Sequence, residues 1–290
     1  MADILESAVA QLRRHSRRWL RLVALSITAL ALSFLGLVAF IYFRQHSMIY
    51  HPRAYEASYR SALPANGVEI EYVLPFGKQT AFYVPGANRL PKRIWIAFCG
   101  NGSLALDWTT ILRSYPRNGD GFLLVDYPGY GKNAGYATID STRATADAAL
   151  RALVKQLGID QEQVVICAIG HSLGSAAALD FAAHHHVQRV LLIAPFTALR
   201  DEAATVVGRQ LARLLIENYD NRKNLRSVLH QDREVRVAIF HGTDDDVIPL
   251  RMARELKYEF PATDFFPVYG GDHVTVLDLA REQIIAWMNR

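Results

Sequence analysis

Two kinds of hydrophobic pattern follow one another along the chain. From Leu22 to Phe43 there are 22 consecutive residues without a charge, LVALSITALALSFLGLVAFIYF, and beyond them the apolar residues fall into short runs between polar turns. A helix of that first length reaches about 33 Å, enough to cross a hydrocarbon core of about 30 Å. The run is too long for a cleaved signal segment, ends in bulky Phe-Ile-Tyr-Phe, and carries no following lipidation cysteine. It predicts an uncleaved transmembrane anchor at 22–43, with a basic arm at 1–21, a polar connector at 44–66 and a second domain at 67–290. Arg13, Arg14, Arg17, Arg18 and Arg21 precede the anchor, whereas only Arg44 and Arg53 closely follow it. The positive-inside rule then places the N-terminus in the cytoplasm and the second domain on the non-cytoplasmic side.

In that domain the apolar runs are short and rich in β-branched and aromatic residues. They predict strands at Glu69–Leu74, Thr80–Val84, Ile94–Cys99, Phe122–Asp126, Val164–Ile169, Val190–Ile193, Val235–His241 and Asp264–Val268. Helical stretches are expected near 104–115, 139–157, 172–185, 198–217, 250–258 and 274–289. The helix at 139–157 opens on Asp140-Ser141 and stops at Gly158. The first two strands, with Phe76-Gly77-Lys78 between them, read as an antiparallel hairpin. Beyond Ile94 strands and helices alternate, which predicts an α/β fold with a mostly parallel sheet covered on both faces.

Charge adds little to this picture once it is located. The formal net charge is +4, and residues 1–44 supply all of it through six Arg against Asp3 and Glu6. The remaining 246 residues are neutral, so the basic character belongs to the arm, and a nucleic-acid partner has no support. Cys99 and Cys167 each lie in an apolar run, form no CxxC pair, and read as buried small hydrophobes. His184, His185 and His186 are adjacent, so on a helix they diverge by about 100° each and cannot share one ion. Metal-ligand spacings such as HExxH are absent, and no cofactor is implied.

The strongest chemical signal is GHSLG at 170–174, between the apolar run VVICAI and the helix former SAAALDFAA. A serine on a tight strand-to-helix turn stands clear of the sheet, and small residues two positions either side let the backbones pass. Gly170 and Gly174 are those residues and Ser172 is the candidate nucleophile. A hydroxyl needs a base to take its proton and a carboxylate to orient that base. HGTDDDVIP at 241–249 offers Asp244, Asp245 and Asp246 after one strand, and YGGDHV at 269–274 offers His273 after the next. Nucleophile, acid and histidine thus follow in that order, each at a strand end.

These motifs, with MIYHP at 48–52, GNG at 100–102, DYPGYGKNAG at 126–135 and APFTALRD at 194–201, resemble the α/β-hydrolase superfamily. The likeness runs from about residue 48 to the end, and is to a membrane-anchored, lightly capped branch labelled serine aminopeptidase-like or lysophospholipase-like. It implies an eight-stranded, mostly parallel sheet and hydrolysis of an ester, thioester or amide through an acyl-enzyme. By position it assigns the acid to Asp245 and the oxyanion hole to the backbone N–H groups of Leu173 and Asn101. The family's His-Gly in that loop is Cys99-Gly100 here, which leaves open what orders it. The resemblance also places a small lid near 196–234.

Other residues read as structural: Asp126 as the fixer of the PGYG turn, His171 as the variable elbow position, His241 as part of a turn, and Asp272 as directed away from His273. The expectation is a membrane-anchored serine hydrolase that cleaves an ester or thioester of a small-molecule or lipid-like acyl substrate. A serine peptidase would need a carboxylate pocket for the substrate amine, and a non-catalytic binding protein of this fold would have lost a member of the three. The sequence fixes no oligomeric state.

Overall fold

The computed structural model describes residues 2–88, 90–116, 119–232 and 234–290. They fall into two units, Met1–Met48 and Ile49–Arg290. The first is one helix, which begins at Ala2 and runs on to Ile49. Its stretch His15–Ile49 has a peak mean hydropathy of 2.4 and is long and apolar enough to cross a membrane. The helix outruns the uncharged segment by six residues, Arg44 to Ile49. Charge ends an apolar segment but not a helix, and the first breaker is Pro52, whose ring disfavours helical geometry at the residue before it.

In the second unit all eight expected strands are present. They are β1 (Val68–Leu74), β2 (Gly77–Val84), β3 (Arg93–Phe98), β4 (Asp120–Val125), β5 (Val165–His171), β6 (Arg189–Ile193), β7 (Arg236–Gly242) and β8 (Asp264–Val268). They form one sheet in the order β1-β2-β4-β3-β5-β6-β7-β8. β2 runs antiparallel to β1 and β4, and the other neighbours are parallel. The hairpin turns on Pro75-Phe76, since Gly77 already pairs with Leu74.

Strand periodicity divides the core. Ile94, Ile96 and Phe98 of β3 pack on one face with Leu150, Leu153 and Leu179, while Trp95 and Ala97 pack on the other with Ile284 and Trp287. Burial of each such large side chain stabilises by roughly 1.5–3 kcal/mol. Central strands covered on both sides must be apolar throughout, and β4 is buried at every position. Edge strand β1 is buried only at Ile70.

The covering helices depart from expectation where breakers act. Helix Ile139–Leu157 is capped by Thr138 and ends at Gly158, as its sequence predicts. The helix expected at 198–217 is split at Gly208, into Leu199–Val207 and the single turn Arg209–Ala212. A further helix, Asn221–Gln231, seats Leu225 and Val228 in the core. The excursion between β6 and that helix closes on itself, with Ala198 bridged to Asp220 and the Leu199 N–H bonded to the Tyr219 carbonyl at 2.8 Å. Near the C-terminus, Val276–Leu279 and Arg281–Asn289 replace one expected helix.

Parallel pairing puts the loops that follow β3 to β8 at one edge of the sheet. There helix Leu173–His184 leaves β5 at a sharp angle against β3: a Cβ on Gly174 would lie 2.2 Å from the Phe98 carbonyl oxygen and 2.4 Å from that of Cys99. Gly174→Ala should therefore lower Tm by several degrees, as overpacking by one methyl costs about 1–3 kcal/mol. Gly102→Ala, whose Cβ would meet nothing within 4 Å, should leave Tm within about a degree. Equal melting of both variants would contradict this packing.

Candidate active site

Ser172 sits between β5 and helix Leu173–His184 with φ 57° and ψ −123°. A non-glycine residue in that region carries strain of order 1–3 kcal/mol, which the surroundings must impose. They do so from both sides. The Ser172 N–H is held by the Ile193 carbonyl at 2.9 Å. A Cβ on Gly170 would lie 1.9 Å from the Gly174 carbonyl oxygen, so the chain can double back only without one.

The acid and histidine loops meet through a second bare contact. A Cβ on Gly242, at the end of β7, would lie 2.1 Å from the Gly271 carbonyl oxygen, and the Asp244 N–H bonds that same oxygen at 3.0 Å. The loops after β7 and β8 are thereby locked together. Of the three consecutive aspartates, Asp244 and Asp246 are exposed and Asp245 is buried. Asp245 Oδ1 accepts from the N–H groups of Val247 (3.0 Å) and Ile248 (2.8 Å), and Oδ2 accepts from His273 Nδ1 at 2.8 Å. The other ring nitrogen, His273 Nε2, accepts from Ser172 Oγ at 2.9 Å. The three residues named from the sequence thus form one hydrogen-bonded line.

Burial alone would raise the Asp245 pKa. Hydrogen bonds from His241, His273 and the Ile248 N–H outweigh it and hold the carboxyl well below the usual carboxylate range. His241 Nε2 donates to the Ile248 carbonyl at 2.8 Å and lies 3.4 Å from Asp245 Oδ2, so this turn residue also fixes the acid loop.

His171 has more to do than its place in the motif suggested. Its Nε2 lies 2.7 Å from the His273 carbonyl oxygen and donates to it, and the two rings are 5.0 Å apart. Burial, aided by His273, lowers its pKa to about 4, so the ring stays neutral at neutral pH. No sequence signal marked this contact between the elbow and the histidine loop.

The loop after β3 is ordered without the family's histidine. The Cys99 carbonyl accepts from Tyr127 Oη at 2.5 Å, and the Asn101 carbonyl from Tyr130 Oη at 2.7 Å and the His51 N–H at 3.3 Å. Asn101 Nδ2 donates to the Ile49 carbonyl at 3.2 Å, and Arg53 Nη1 to the Gly102 carbonyl at 3.1 Å. The DYPGYG and MIYHP motifs, with Arg53 just after the latter, supply these clamps. A turn bond from the Ser103 N–H to the Gly100 carbonyl spans Asn101, which leaves the Asn101 N–H outside that bond. The Leu173 N–H opens its helix, where amides lack intrahelical acceptors.

The remaining candidates take structural places. Asp126 is buried and accepts from the Ala105 N–H and Tyr55 Oη, each at 2.7 Å; desolvation raises its pKa to about 7. Asp272 is exposed and bonds the N–H groups of Val274 and Thr275. Burial raises the Cys99 thiol well above its ordinary pKa, so it is no thiolate. Among the described residues no group of three potential ligands could hold a metal ion.

The His171 contact has a pH signature. An unfolded chain takes up this proton near pH 6.5, whereas the folded one refuses it down to about 4. The associated stability is complete above pH 6.5 and is lost as pH falls from about 6.5 to 4, amounting to a few kcal/mol. The Asp245 contribution disappears only below the ordinary carboxylate range. Tm measured from pH 7.5 to 4.5 should fall steeply in the wild type and less in His171→Asn; parallel profiles would refute the assignment.

Comparison with known proteins follows the same geometry. The family model described as the alpha/beta hydrolase family matches residues 83–232. Two uncharacterized Mycobacterium tuberculosis proteins, MT2364 of strain CDC 1551 and Rv2307c of strain H37Rv, are each 28% identical over 245 residues, 83% of this chain and 83% of theirs. Among solved structures, the Pyrococcus furiosus esterase Pf2001 superposes with a TM-score of 0.60 at 14% identity, over 82% of this chain and 96% of that one. An alpha-beta hydrolase from Vibrio vulnificus gives 0.59 at 19% identity, over 77% and 81% of the two chains. At such identities the structural likeness concerns the fold.

Proposed function

This chain belongs to the α/β-hydrolase family, and we propose that it is a membrane-anchored serine hydrolase that cleaves an ester or thioester of an acyl chain. One observation carries this reading: the unbroken line from Ser172 Oγ through both ring nitrogens of His273 to Asp245. Ser172 Oγ attacks the acyl carbonyl carbon as His273 Nε2 takes its proton. Asp245, held anionic by its donors, keeps the Nδ1 proton in place and stabilises the imidazolium. The carbonyl oxygen, now an alkoxide, lies against the N–H groups of Leu173 and Asn101, donors worth about 3–4 kcal/mol of barrier each. His273 Nε2 then protonates the departing alcohol or thiol, and water, activated by the same nitrogen, releases the acid.

The esterases among its structural relatives and the apolar helix support the acyl reading. In this reading the helix anchors the protein, the five arginines before its uncharged segment stay in the cytoplasm, and the hydrolase domain lies outside. Protease protection of terminal tags in intact cells tests that orientation, and a shielded C-terminal tag would reverse it. An anchor raises the effective concentration of a substrate confined to the same bilayer, and this favours long acyl chains over soluble peptides.

Ser172→Ala and His273→Ala should each lower kcat by about 10⁴–10⁶, and the double variant little further, because the residues act as a unit. Asp245→Asn should cost about 10⁴, with Asp244→Asn and Asp246→Asn near wild type. Fluorophosphonate labelling should vanish in Ser172→Ala. Turnover by Ser172→Ala close to wild type would end this reading.

For substrate, kcat/KM should rise from acetyl to long acyl esters and exceed that for aminoacyl anilides by orders of magnitude. Faster anilide cleavage would transfer the assignment to a peptidase.

A further inference from the structure

Beside the catalytic edge lies a cavity of about 600 Å³ whose wall carries five arginines: Arg200, Arg209, Arg213, Arg222 and Arg251. Its two sides grow from the same loops as the site. One follows β6, whose terminal Ile193 carbonyl holds the Ser172 N–H, and reaches the cavity at Thr197. The other is helix Leu250–Glu259, which follows the Asp245 loop and contributes Arg251 and Glu255. Half-buried Glu202, next in sequence to Asp201 of the cavity wall, interacts electrostatically with Arg251, Asp245 and His273.

The carboxylates in the wall are already occupied. Asp201 accepts from Arg222 at 2.5 Å and from Thr197 at 2.7 Å, and Glu255 pairs with Arg222 at 2.7 Å and Arg251 at 3.4 Å. Among the described residues, Arg200, Arg209 and Arg213 form no ion pair. Arg200 and Arg213 donate only to neutral oxygens, the Leu215 carbonyl at 2.9 Å and Gln210 at 3.3 Å. Glu259 also pairs with Arg222 at 3.2 Å, so among the described residues three of the five guanidinium groups are left without a carboxylate, in a domain whose net charge is zero. Neighbouring like charges repel, more strongly at a protein surface than in bulk water. An anion entering the cavity removes that repulsion, and planar guanidinium forks match phosphate oxygens in pairs.

We infer that this cavity is a subsite for a phosphate group carried by the substrate, so that the hydrolase acts on acyl compounds whose other end is phosphorylated. The inference rests on the acyl-hydrolase reading above but concerns binding away from the scissile bond. Two sources share this chemistry: a phospholipid headgroup in the bilayer, and a soluble thioester whose thiol part bears phosphate.

The test uses the full-length protein in nanodiscs and a pair of acyl esters that differ only by a phosphate on the leaving group. In the wild type the phosphorylated ester should have a KM at least 10-fold lower. Arg209→Gln/Arg213→Gln, both at exposed positions, should erase most of that difference while kcat for the neutral ester stays unchanged. No preference in the wild type, or one the double variant keeps, overturns the inference and leaves the hydrolase reading intact. Calorimetry of inorganic pyrophosphate with Ser172→Ala separates the two in the other direction. Binding that the arginine variants weaken at least 10-fold supports the subsite even if no ester turns over, and absence of binding refutes it. A vesicle-borne lysophospholipid and a soluble phosphorylated thioester then compete as substrates; preference for either supports the subsite and names the source.

Discussion

A strand can become a helix within one residue only where the backbones that must cross carry no side chains, and everything at this site follows from that constraint. Gly170 and Gly174 remove the two Cβ atoms that would block the turn, and Ser172 is left with a positive φ that no local preference supplies. The strain is held by the sheet: the Ser172 N–H is tied to β6 and the elbow helix rests on the last carbonyls of β3. The geometry of one hydroxyl therefore depends on the register of three parallel strands. Its partner in hydrogen bonding is 101 residues away in sequence.

The same device is used a second time, more quietly. Gly242 and Gly271 let the ends of β7 and β8 touch backbone to backbone, which brings the acid loop against the histidine loop. Asp245 is then desolvated, which disfavours its charge, and its several donors more than compensate. His171 closes the ring by joining the elbow to the His273 carbonyl. A neutral imidazole suits this place, since in the proposed mechanism a second positive charge beside His273 would oppose the imidazolium.

How much of this could be read in advance depended on whether the determinant was local. Central strands are apolar along their whole length because both faces are covered, so all eight strands could be found, with ends displaced by one to three residues at polar starts such as Asp120-Gly121 and Gly77-Lys78-Gln79. Helix Asn221–Gln231 escaped because only Leu225, Val228 and Leu229 mark its apolar face among charged and polar neighbours. The split at Gly208 was written in the sequence as a glycine within a helical pattern, but position alone did not distinguish it from a tolerated one. Ser172, Asp245 and His273 were legible because each sits in a motif whose spacing is dictated by a turn. What orders the Asn101 loop was not, since its clamps come from residues 49–53 and 127–130, and only the folded chain brings those segments to Gly100.

These clamps give the segment just after the apolar helix a second role. Ile49 and Tyr50 are core residues of the catalytic domain, and Ile49, His51 and Arg53 bond the loop proposed to hold the alkoxide. Residues 49–53 thus lie at the edge of the sheet that carries Ser172 and His273. The cavity with unpaired arginines lies on the same edge. In the proposed reading, the serine elbow and this cavity share one edge of the domain, which suits a substrate with a cleavable acyl carbonyl and an anionic end.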